Sequence, residues 1–298
     1  MTRTEITPST RLWWVRLLAL ATVWGTSFLL IKVALEAFAP VQISFGRVAA
    51  GAVVLLAVVV ARRDTLPREP RVWLHLSIAA LLLNTMPFTL FGYAEQRISS
   101  SLAGICNAAT PLFTALLTLV ALREERPDLR RVAGLVVGFG GVLLVLDVAG
   151  GVVTGDATGV ALVLGAALCY ALGWIHLRRY VTGTAYSGVA LSAGQLLAST
   201  AQLAVVTLAV TSPPTTYPWA ALGALVALGA LGTGFAYVLQ YRIIRDVGVT
   251  VAATVTYVIP VVAVAAGIVV LGEQLHLHQL LGAAVILAGA WLSRAQPR

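Results

Sequence analysis

The chain has 298 residues, of which 59% are hydrophobic and only 11% charged, and its mean hydropathy is +0.92. Soluble domains carry about 25% charged residues, so an ordinary cytosolic enzyme is excluded, as is a disordered polymer. At about 20 apolar residues per membrane helix the chain has room for roughly ten spans and short connections, which makes it an all-α polytopic membrane protein.

The first apolar run covers 13–35 and ends at Ala39-Pro40; the second, 41–61, stops at Arg62-Arg63-Asp64. The third, 73–94, runs into Glu95-Gln96-Arg97, and the fourth, 100–122, into Arg123-Glu124-Glu125-Arg126-Pro127. The fifth, 131–147, precedes Gly150-Gly151. The remaining runs are 157–177, 187–210, 219–241, 248–271 and 279–293, with Ser212-Pro213-Pro214 between the seventh and eighth. Proline and glycine end helices, and charge is disfavoured in hydrocarbon. Arg11, Arg16 and Ala19-Leu20-Ala21 resemble a cleavable signal peptide, but the apolar run continues to Leu35, so the segment is expected to remain as a span.

With the N-terminus inside, seventeen of the twenty Lys and Arg fall in cytoplasmic segments; Lys32 and Arg97 lie outside and Arg47 within a span. Such a bias over short loops orients a membrane protein, and it places both termini in the cytoplasm. Arg-rich, Lys-poor usage heavy in Ala, Val, Leu and Gly points to a bacterial chain, hence to the cytoplasmic (inner) membrane. The net charge of +8 is spread through loops and not gathered on a soluble face among aromatics, so no nucleic-acid partner is expected. Cys106 and Cys169 lie in apolar runs as small packing residues. His276 and His278 make only an H-x-H pair, so no metal and no cofactor are expected. The absence of a phosphate-binding loop and of any catalytic constellation argues against an ATP-driven pump or an enzyme.

The chain also repeats itself at an offset of about 148 residues. Pro111 and Pro260 each stand thirteen residues before a glutamate, Glu124 and Glu273; Gly134 and Gly282, then Gly141 and Gly289, follow. Five spans per half put the second half in the membrane upside down. The loop at Glu124 carries four arginines and the loop at Glu273 none, as inversion requires. Trp24-Gly25-Thr26-Ser27-Phe28 with Lys32, Pro40 and Arg47, and the stretches Asn107 to Gly141 and Tyr257 to Gly289, resemble EamA-type proteins of the drug/metabolite transporter superfamily. The resemblance implies ten helices in two inverted five-helix repeats, 18–146 and 157–292, around a central cavity. It also implies export or exchange of small metabolites, often amino acids, without nucleotide hydrolysis, and does not name the cargo.

Arg47 is the sharpest candidate for a substrate site. It lies about six residues into its span, roughly 9 Å below the outer surface, where a guanidinium faces a cavity or a partner. One reading has it grip a substrate carboxylate; the other has it pair with Glu95 or cap helix carbonyls. Its register equivalent in the second half is Gln195. Trp24, Asn84, Asn107, Tyr237 and Tyr257 join Arg47 and Gln195 as candidate substrate-binding residues, because polar groups in lipid need a partner or a wet cavity. Pro111 and Pro260 are candidate hinges. Lys32 and Glu36, four apart, read as a solvated pair, and Glu95 as a charge at a helix end. Gly134-x-x-x-Gly138 and Gly141 suit packing within a monomer, with a weak homodimer as the other reading. The expected function is a secondary transporter exporting a small polar metabolite, an amino acid or related zwitterion, by alternating access across the bilayer. The alternative cargo is a drug or another non-carboxylate metabolite.

Overall fold

The structure, a computed structural model, describes residues 12–121, 129–146 and 156–293. Every regular element in it is helical: α1 (Trp13–Ala34), α2 (Pro40–Ala61), α3 (Pro70–Ala80), α4 (Met86–Glu95), α5 (Ser100–Asn107), α6 (Thr110–Ala121), α7 (Leu129–Val145), α8 (Ala157–Tyr180), α9 (Gly188–Val210), α10 (Trp219–Gly229), α11 (Ala236–Ala252), α12 (Val255–Leu271) and α13 (Leu277–Leu292). Seven helical stretches among the described residues are long and apolar enough to cross a membrane; α7, α12 and α13 are apolar but shorter. Glu124, the arginines of its loop at 123 and 126, Asp147, the Gly150-Gly151 break and the terminal arginines 3, 11, 294 and 298 lie outside the described residues.

Local chemistry sets the helix starts. Pro40 and Pro70 occupy first-turn positions, where the missing N–H costs nothing, which is why α3 begins three residues before the expected 73. Asp156 caps α8 by accepting from Thr158 N–H at 2.8 Å, and Ser99 and Ser187 cap α5 and α9. Three expected spans are less regular than an apolar run implies. The third and eighth contain π-helical stretches, Leu81–Thr85 and Ala230–Phe235, and the fourth breaks at Ala108-Ala109 just before Pro111. Pro260, by contrast, stands inside α12; the interruption on that side falls upstream, at Ala253-Thr254, and Gly248 (φ +84°) leaves the helical region within α11.

The helices pack in reciprocal pairs. α1 lies on α10, α11 and α12, while α8 lies on α4, α5 and α6; α2 lies on α9, and α7 on α13. The α7–α13 contact is glycine on glycine. A Cβ on Gly134 would lie 2.9 Å from the Gly289 carbonyl oxygen, and one on Gly141 would lie 2.9 Å from that of Gly282. Two apolar cores result, a large one centred on α1, α5, α8 and α12 and a smaller one between α2 and α9. Outward faces are apolar as well, with Val60, Leu208 and Val269 more than 70% exposed, a surface suited to lipid and not to water.

Connections 35–39, 96–99, 211–218 and 272–276 meet at one end of the bundle, the Glu95 end. Connections 62–69 and 181–187 meet at the other, the Arg62 end, where Ser187 Oγ bonds Asp64 and Tyr186 O–H donates to Glu69 at 2.6 Å.

Candidate functional site

Where α2, α9 and α11 meet α4 and the π-helical stretch before it, the chain buries three neighbouring groups of polar side chains. Arg47, 7% exposed, reaches from α2 to the π-helical stretch before α11, where its Nε donates to Thr233 Oγ1 at 3.0 Å. Its Cζ sits 3.8 Å from the centroid of the Phe88 ring, in cation–π contact. Its two terminal nitrogens have no protein hydrogen-bond partner among the described residues. Asn84, wholly buried, donates from Nδ2 to Tyr237 Oη at 2.8 Å and accepts at Oδ1 from Gln195 Nε2 at 2.5 Å. Tyr237 and Tyr170 are among the groups within electrostatic reach of Arg47. The residue after Asn84, Thr85, bonds both Ser199 Oγ at 2.8 Å, one turn along α9 from Gln195, and Gln202 Oε1 at 2.7 Å.

The sequence candidates thus divide. Arg47, Asn84, Gln195 and Tyr237 come together. Trp24 is half-buried on α1 against the larger core. Asn107, at the α5–α6 break, accepts from Thr110 Oγ1 at its carbonyl and its own side chain, 2.8 and 3.3 Å away. Tyr257 donates to the Ala290 carbonyl at 3.2 Å, joining α12 to α13. Thr233 and Phe88, the two groups that hold Arg47, were not among the candidates. The available signal was Gly229-x-x-Gly232-Thr233-Gly234: a Cβ on Gly229 would lie 2.8 Å from the Arg47 carbonyl, and one on Gly234 would lie 2.6 Å from Val54 Cβ. Small residues there let α2 approach closely enough for Arg47 to reach Thr233.

Three expectations about charges are corrected. Arg47 neither pairs with Glu95 nor caps a carbonyl; Thr233 and Phe88 take those roles. Lys32 does not form a solvated pair with Glu36, because Nζ donates inward to the carbonyls of Glu95 at 2.5 Å and Ile98 at 3.0 Å and so caps α4. Glu95 is not exposed at the helix end; its carboxyl is fully buried.

The Glu95 end carries two further clamps. Glu273 accepts from the N–H groups of Ser100 and Ser101 at 2.7 and 2.9 Å and from the Ser101 hydroxyl at 2.6 Å, capping α5 from the far half of the chain. Burial pushes the Glu273 carboxyl up, but the serine bonds outweigh it and hold it below its ordinary value. Arg97 bonds Asp156 at 2.7 Å and holds that carboxyl low. At the Arg62 end a cavity of about 200 Å³ is lined by Arg62, Arg242, Arg245 and Tyr241, the last one turn from Tyr237. No group of three or more His, Cys, Asp or Glu side chains lies together among the described residues.

An apolar-faced helical bundle that buries a guanidinium and a pair of bonded amides defines a polytopic membrane protein with a polar interior. The chain belongs to the EamA-like transporter family, whose model matches residues 12–147 and again 157–295. It is similar to the inner membrane transporter YedA of Escherichia coli (strain K12), 27% identical over 91% of this chain and 87% of the relative. It is likewise similar to a probable terminal-alkyne amino-acid exporter of Streptantibioticus cattleyicolor, 27% identical over 94% of this chain and 92% of that protein. A solved crystal structure shares the fold, with a TM-score of 0.65 at 22% identity over 93% of this chain and 94% of the other. The chain is therefore a membrane transporter.

Proposed function

We propose that the chain is a secondary carrier that exports a small polar metabolite of the amino-acid class across the bacterial cytoplasmic (inner) membrane. The observation that carries this reading is Arg47: a buried guanidinium braced by Thr233 and Phe88, with its terminal nitrogens left without a protein partner. That fork matches a carboxylate, and a buried cation without an anion is stable only if its site is wet or its ligand supplies the charge. Asn84, Gln195 and Tyr237 supply neutral donors and acceptors beside it, and the Arg62-end cavity leads to within a turn of them. The similarity to an amino-acid exporter agrees with this cargo class.

In this reading the ten helical runs all cross the bilayer, as two inverted repeats over 18–146 and 157–292. Reciprocal packing supports the inversion. Gly134 meets Gly289 while Gly141 meets Gly282, so each residue contacts the counterpart of its partner, as a pseudo-two-fold requires. The double family match falls on the same two segments. Both termini lie in the cytoplasm, which makes the Glu95 end the outer one. Rocking of the repeats, with Pro111 and Pro260 as hinges, exposes Arg47 to each side in turn. Trp24, Asn107 and Tyr257, on the α1–α5–α12 side, meet the substrate during that movement.

Counterflow uptake of a labelled amino-acid panel into proteoliposomes tests the reading. Uptake of a subset, lowered at least tenfold in apparent affinity by Arg47→Ala, is the expected result; uptake indifferent to Arg47 would contradict it.

A further inference from the structure

Glu95 closes α4 with no exposed surface, and both of its carboxyl oxygens are buried without a hydrogen-bond partner. The charged groups that act on it come from three elements, Lys32 on α1, Arg47 on α2 and Glu273 ahead of α13; Glu36 on α1 lines the same cavity, Tyr170 on α8 acts on Arg47, and the Arg97–Asp156 pair joins the following loop to the α8 cap. The charged groups nearest it are committed elsewhere. Lys32 holds the carbonyls of Glu95 and Ile98, Arg47 holds Thr233, Arg97 holds Asp156, and Glu273 holds the start of α5. Burial without a partner penalises a carboxylate far more than a carboxylic acid.

The position of Lys32 links that charge to the geometry of the end. Its ammonium bonds the backbone carbonyl of Glu95 itself, so an ionised Glu95 side chain would compete for the same ammonium. Transfer of Lys32 to the carboxylate would release the carbonyls of Glu95 and Ile98, and with them the last turn of α4 and the loop to α5. An open cavity of about 410 Å³, lined by Lys32, Leu35, Glu36, Glu95 and Gln96, lies beside this spot, so that a small opening would bring water to the carboxyl.

We propose that Glu95 is a proton-binding site that couples closure of this end to proton uptake, which makes the proton the carrier's coupling ion. On closing, a proton leaves water for a Glu95 oxygen and Lys32 clamps the two carbonyls. On opening, the proton returns to water and Lys32 turns to the carboxylate. The coupling rests on the carrier reading above, but its test needs no substrate.

Spin labels on Gln96→Cys and Gln274→Cys, in the full chain with Cys106→Ala and Cys169→Ala, report the distance across this end in liposomes of phosphatidylethanolamine and phosphatidylglycerol. Raising the pH is expected to shift the distance distribution toward the long, open population. Glu95→Gln, which keeps size and burial, is expected to hold the short population at every pH, and Glu95→Asp to restore the response. A parent protein with no pH response, or a Glu95→Gln protein with the parent's response, would overturn the proposal. A failed amino-acid counterflow would leave this measurement unaffected, so the two failures are distinguishable.

Discussion

α2 and α9 lie against each other and, in the proposed two-repeat arrangement, occupy equivalent places in the two halves, yet α2 brings a guanidinium to the shared interior and α9 an amide. Arg47 is braced by an aromatic face and a hydroxyl and keeps donors free; Gln195 spends its amide N–H on Asn84. The difference teaches that near-symmetric packing need not give a symmetric site. In the proposed carrier, one charge from one half would give a small anion a single orientation, while the other half would supply neutral bonds that shape the space around it.

Substitutions that erase this asymmetry should have graded effects. Arg47→Ala removes the charged partner, and a hydrogen bond to a charged group is worth about 1.5–3 kcal/mol, so apparent affinity for carboxylate substrates should fall by about ten- to a hundredfold in counterflow. Arg47→Lys keeps the charge but not the fork, and should recover only part of that loss. Gln195→Ala strips one neutral bond and leaves the Asn84 carbonyl oxygen buried without that partner; a fall of about three- to tenfold is expected in the same assay. Tyr237→Phe, which removes one hydroxyl from the Asn84 amide, should cost less, about two- to fivefold. A Gln195 substitution as damaging as Arg47→Ala would break the comparison.

The Glu95 end offers a stability test. Because the folded-state value of Glu273 lies below its ordinary 4.5, its stabilisation is present above pH 4.5 and is lost as the pH falls through the lower folded value. Thermal unfolding in detergent should therefore show a Glu273-dependent drop in melting temperature on acidification. Glu273→Gln should melt lower at neutral pH and lose part of that drop.

Much of the fold was legible in the sequence because it depends on length and local chemistry. An apolar run of span length between charges has few folds open to it; Pro40 starts its helix by its fixed backbone angle, and Ser99 and Ser187 start theirs through bonds to near neighbours. Arg47 was legible because a charge at that depth demands a reason. Its partners were not: Thr233 lies 186 residues away, and the π-helical stretch that presents it leaves no mark in an apolar pattern. Glu95 was misread for a related reason. A carboxylate at a helix end is solvated unless other elements cover it, and here α1 and α8 pack on α4 from distant parts of the chain. Asn107 and Tyr257 looked equal to Asn84 and Tyr237 by composition, and only the packing separates them, giving the first pair to their own and adjoining helices.

The most direct test of the carboxylate-binding role is competition in counterflow between an amino acid the carrier takes up and its carboxamide. The wild-type protein should prefer the carboxylate by at least tenfold, and Arg47→Ala should reduce that preference to near unity. A preference that survived in Arg47→Ala would contradict the account and make Arg47 a structural residue.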